Sequence, residues 1–152
     1  MWVRRSISFW VIFLFLVLSI ILMLTGQTMA VFHYDVAVRL GLQESLGQVG
    51  EYGVQVNRAF GAGDTFVYIP LMAVSLIGLV YKKRWSLLTT TAVFGVSAYW
   101  SATIFCMLVF LPGVSGYSYE PGLEIWLFVG GYLVSGVWGL CYMVVRGDAL
   151  LS

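Results

Sequence analysis

His33, Tyr34 and Asp35 place the chain's one imidazole two residues from a carboxylate. A histidine beside an acid can titrate near neutrality and move a proton. With no nucleophile alongside, the simpler reading is an interfacial side chain satisfied by water; ligand contact is the functional one. Asp64 follows Gly61-Ala62-Gly63 and opens an apolar run. Its carboxylate suits an N-cap facing the positive end of a helix. The functional reading is a ligand-facing acid approached by a flexible glycine segment. With Glu51, these residues give a candidate outer-face ligand site of His33, Asp35, Glu51 and Asp64. No catalytic set is assigned.

A second group of candidates lies inside apolar sequence. Tyr99, Trp100, Ser101 and Ser135 fall near the middle of two long apolar runs. The polar tips of Tyr and Trp need partners at such depth. They form a candidate intramembrane polar and aromatic layer, whose bland role is packing. Gly131, Ser135 and Gly139 make a ladder of small residues, and Gly95, Ala98 and Ala102 a second narrow face, both suited to close helix approach. Cys106 and Cys141 would differ in depth by roughly 20 Å, too far for a disulfide. One His and two Cys, with no ligand spacing among them, point to no metal and no cofactor.

The elements that must position these residues are plain in the composition. The 152 residues are 61% hydrophobic and 10% charged, with a mean hydropathy of +0.93. Soluble domains are nearer half apolar and a quarter charged, which argues against a soluble globular enzyme. A net charge of +1 offers no field for nucleic acid. Four apolar runs, at about 9–27, 65–81, 87–111 and 125–145, contain no Asp, Glu, Lys, Arg or His. A bilayer core needs roughly 20 such residues per helix, and lipid demands that each backbone be satisfied internally. The expectation is an all-α membrane protein of one domain, a four-transmembrane-helix antiparallel bundle.

Arg4, Arg5, Lys82, Lys83, Arg84 and Arg146 flank one side of these runs, six of the eight basic residues. Basic flanks stay cytoplasmic, so both termini are expected inside a plasma or inner membrane of bacterial or archaeal type. Span one carries the charged start of a signal peptide, and Thr28-Met29-Ala30 resembles a cleavage site. Its apolar core exceeds the usual length of such a region, so it is read as retained.

The first outer loop has a pattern of its own. Val38, Leu42, Leu46, Val49, Gly53, Val56 and Phe60 recur at steps of three and four, opposite Glu44, Gln48, Glu51, Gln55 and Arg58. This predicts an amphipathic segment over about 36–60. Glycines at 41, 47, 50 and 53 predict two short helices broken near Gly47 to Gly50. A short strand over Val36 to Leu42 is the competing reading. The segment would form a lid over the bundle or lie among the headgroups. Pro70 is expected to kink span two. Pro121 is expected to open span four, with Glu124 in its first turn.

The functional expectation is a non-catalytic accessory, assembly or small-ligand-binding protein. A neutral-solute transporter or channel subunit is the alternative, and an outer-leaflet enzyme a further one. The expected partners are the lipid bilayer and other membrane proteins or further copies of the chain, with no nucleic acid.

Overall fold

A computed structural model describes residues 6–151. Trp2, Arg4 and Arg5, which flank the first apolar run, lie outside the described residues. Every regular element among the described residues is helical. Helix α1 (Ile7–Met23) is capped by Ser6, whose Oγ accepts from the Phe9 N–H at 3.2 Å. A π turn over Leu24–Thr28 carries it into α2 (Met29–Phe32). Thr25 supports that turn by bonding back to the carbonyls of Ile21 and Leu22, a habit that bends helices. His33 breaks the run, and α3 (Tyr34–Arg39) follows.

Helix α4 (Leu46–Gly63) starts at Ser45, whose N–H donates to Gln48 Oε1 at 2.8 Å. It is broken at Gly50, with φ +68° and ψ 174°, a conformation open to glycine. A second π turn over Asp64–Tyr68 leads into α5 (Ile69–Val80). The turn at 81–84 leads to α6 (Trp85–Phe110), and the 111–122 connection to α7 (Leu123–Arg146). Four helical stretches are long and apolar enough to cross a membrane: Ile7–Phe32, Leu46–Val80, Trp85–Phe110 and Leu123–Leu150.

The segment at 36–60 is helical as expected, its competing strand reading is overturned, and two further expectations for this region fail. The strand reading of Val36 to Leu42 fails, because α3 and the turn at Gly41 (φ +69°) occupy it. The break near Gly47 to Gly50 is found at Gly50, but the chain beyond it is not a separate cap. It runs on without interruption into α5. Gly61-Ala62-Gly63 is no flexible approach either: a Cβ on Gly61 would stand 2.6 Å from the Gln27 carbonyl oxygen. Gly61 lets the two π turns meet, and Thr28 and Thr65 join them by a 3.0 Å hydroxyl hydrogen bond. Pro70 has no N–H for the Phe66 carbonyl, and the irregularity it demands takes the form of the π turn just before it.

The core centres on Ile12, Leu16, Met72, Leu79, Val93 and Phe94, all fully buried. Phe15 stacks on Phe94 with ring centroids 5.0 Å apart. Helices α6 and α7 share the most extensive contact, and of the expected Gly131–Ser135–Gly139 ladder Gly139 takes part in it while Gly131 does not. Gly131 faces open space. The buried face of α7 is Val129, Tyr132, Gly136, Gly139 and Met143. A Cβ on Gly136 would lie 2.7 Å from the Ala98 nitrogen, and one on Gly139 would strike the Phe94 ring. The registers of Gly131 and Gly136 differ by about 140° around the helix axis, so only one of them can face α6. Pro121 precedes α7 instead of opening it; Gly122 occupies the cap position and Glu124 the first turn.

Candidate functional site

The π turn after Gly63 turns Asp64 inward. Asp64 has helical angles (φ −64°, ψ −44°) within a continuous run, so it is not an N-cap. It is 5% exposed. Tyr68, in the same π turn, is also buried and reaches the Ser97 hydroxyl at 2.5 Å and the Tyr132 hydroxyl at 3.1 Å. Ser97 and Ser101 sit one turn apart on α6, and each bonds back to its own helix. Trp100 stands edge-on to Tyr132, with centroids 5.8 Å apart. The second, third and fourth long helical stretches therefore meet in a polar cluster surrounded by apolar core.

Within it, hydrogen bonding is incomplete at one place. The Trp100 indole N–H points at the Asp64 carboxyl closely enough to act on it as a hydrogen-bond donor, but the pair falls short of a well-formed hydrogen bond. Asp64 Oδ2 and Trp100 Nε1 are both buried without partners. The remaining such atom among the described residues is Thr90 Oγ1, nearly three turns away along α6, or about 15 Å. An unsatisfied buried polar group costs about 1–3 kcal/mol. Two of them side by side in an apolar interior form a donor and acceptor set that a ligand group could complete.

Trp100 also lines a recess of about 160 Å³ with Gln27, Gln43, Glu44, Asn57 and Phe60. Glu44 and Asn57, bonded at 2.7 Å, are shared with a larger groove of about 380 Å³. That groove is floored by Ile104, Met107, Leu108 and Leu111, and Glu51 stands among its lining residues. The Tyr34 hydroxyl donates to the Glu44 carbonyl at 2.8 Å and accepts from Asn57. Burial raises the Tyr34 phenol's pKa, opposed by the Asn57 bond and aided by the Glu44 carboxylate. Burial likewise raises Tyr117 and Tyr119, with Glu44 adding to each. These phenols remain protonated donors well beyond neutrality.

No protein-family model matches this chain. Comparison with curated proteins and with solved structures also gives no match. Its chemistry has to be read from the geometry.

That geometry divides the sequence candidates. His33 and Asp35 share an open groove, Glu51 lines the apolar one, and Asp64 belongs to the interior cluster. The four do not form one site. Of the expected layer, Trp100 and Ser101 are buried and Ser135 is half-buried, whereas Tyr99 is 74% exposed. Tyr99 and Trp100 are consecutive, so about 100° separates them around α6, and only Trp100 points inward. Tyr68, Ser97 and Tyr132 were not among the candidates. Ser97 and Ser101 at helical spacing were the available signal. Tyr132 could have been placed only by knowing that Gly136, not Gly131, faces α6.

Proposed function

We propose that this protein is a non-catalytic, multi-pass integral membrane protein that holds a small ligand at Asp64 and Trp100. Its spans would form an antiparallel bundle, since α5 and α6 are joined by so short a turn. Both termini would be cytoplasmic, in a plasma or inner membrane of bacterial or archaeal type, by the placement of the basic flanks. Support for insertion comes from the outward faces. Each of the four long stretches is buried along only about a third of its most apolar part, and Leu14, Val134 and Val145 are among many large apolar side chains left exposed. Soluble monomers rarely carry apolar surface on that scale, while lipid accepts it.

The observation that carries ligand binding is the loosely joined pair, Asp64 Oδ2 and Trp100 Nε1, both buried and without a well-formed hydrogen bond. Together they offer an acceptor and a donor, which suits a hydroxyl- or amide-bearing head group. An apolar body would extend through the recess toward Ile104 and the groove beyond. Holding a ligand fits better than passing one. On the side of the 81–84 turn, the centre is filled by Ile12, Leu16, Met72 and Phe94, all fully buried.

The test is organic extraction of protein purified in mild detergent, with mass spectrometry of what is released. Wild-type protein should yield one small molecule near stoichiometric amount. Asp64→Asn and Trp100→Phe should lower its yield by about tenfold, the effect of losing one strong hydrogen bond. Equal yields from all three proteins, or only bulk lipid from the wild type, would overturn the proposal.

A further inference from the structure

The charges of the outer segment are sorted in space. Between the first and second apolar runs the sequence supplies three basic side chains, His33, Arg39 and Arg58. All three line one open groove of about 940 Å³ between α2, α3 and α4. Glu44 and Glu51 line the separate apolar groove. In sequence the amphipathic segment looks acidic; in space its two arginines and its histidine are collected together, with Asp35 the one acid among them.

The two guanidinium groups are held but not neutralised. Arg39 Nε donates to the Asp35 backbone carbonyl at 3.3 Å. Arg58 donates to the Val31 carbonyl at 3.3 Å and to Gln55 at 3.5 Å. These bonds fix the forks on uncharged oxygens and leave their other N–H groups to meet an anion. Guanidinium forks suit phosphate oxygens in particular. Beside Tyr34, Asp35 and Ser45, the rest of the lining is apolar, including Val31, Val36, Leu46 and Val54. A cationic rim on an apolar floor complements an amphiphile with an anionic head, more than it does a free inorganic ion.

We propose that the His33–Arg39–Arg58 groove binds a net-anionic phospholipid of the outer leaflet, with its phosphate on the two arginines and an acyl chain along the apolar floor. This rests on the proposed insertion and orientation of the chain, and is independent of what occupies the Asp64–Trp100 site.

Native mass spectrometry of the full chain in detergent tests it, with phosphatidylglycerol and phosphatidylcholine of matched acyl chains added in turn. The wild type should retain phosphatidylglycerol about tenfold better, as expected for two basic groups near an anionic head. Arg39→Gln combined with Arg58→Gln should abolish that preference. The charge-keeping pair Arg39→Lys and Arg58→Lys should retain most of it. Arg84→Gln, at the opposite end of the bundle, should leave it unchanged. Equal retention of the two lipids by the wild type would overturn the proposal. So would a preference that survives the Gln pair, is lost in the Lys pair or falls with Arg84→Gln. Displacement of phosphatidylglycerol by millimolar inorganic phosphate would also overturn it, by assigning the groove to the free ion.

Discussion

Gly136→Leu is expected to lower the stability of the protein by about 3 kcal/mol or more, at the upper end of what overpacking does. A Cβ at this position would stand 2.7 Å from the Ala98 nitrogen and 3.0 Å from its Cα. Those are backbone atoms of α6, so no change of rotamer relieves the clash. The two helices would have to separate along their most extensive contact. For a chain of this size the loss corresponds to a fall in thermal midpoint of about 6–12 °C. Gly131→Leu, one and a half turns away on α7, meets nothing within 4 Å and should change stability by less than about 0.5 kcal/mol. Thermal unfolding of both variants in one detergent checks the pair. A stable Gly136→Leu beside a damaged Gly131→Leu would show that α7 presents its other face to the bundle.

The second large effect is expected at Trp100, and there the two substitutions should diverge. Trp100→Ala removes an indole that is 9% exposed and packs edge-on against Tyr132. Emptying that volume should cost about 3–5 kcal/mol. Trp100→Phe keeps most of the ring and removes the unpartnered N–H. An unsatisfied buried donor costs about 1–3 kcal/mol, so this variant should be close to neutral or more stable in ligand-free protein. Denaturation of both variants after exhaustive delipidation measures the difference. If Trp100→Phe is as damaging as Trp100→Ala, the indole N–H serves the fold through a bond within the protein.

Length and composition were enough to locate the four long helices, because a run of apolar residues is a one-dimensional property. Gly50 was legible as a break for a similar reason, since local backbone freedom is written in one residue. What was not legible depended on rotation about a helix or on contact between distant segments. Gly131 and Gly136 are equally small, and nothing local says which faces α6. Asp64 reads as an N-cap when Gly61–Gly63 is taken for a loop. It becomes an interior acid only when Gly61 closes on the Gln27 carbonyl, 34 residues away in the chain, and holds the helix continuous through the π turn. The charges between the first two long helices give the same lesson. His33, Arg39 and Arg58 are dispersed among acids in sequence, and the fold alone gathers them into one groove.

The interior site is tested most directly by an experimental density map of the wild-type protein in a lipid nanodisc, at a resolution that separates Asp64 from Trp100. The expected result is a non-protein feature within hydrogen-bond distance of both Asp64 Oδ2 and Trp100 Nε1, continuing into the recess beside Asn57 and Phe60. A direct hydrogen bond between the carboxyl and the indole, with continuous protein packing around them and nothing else in contact, would contradict it.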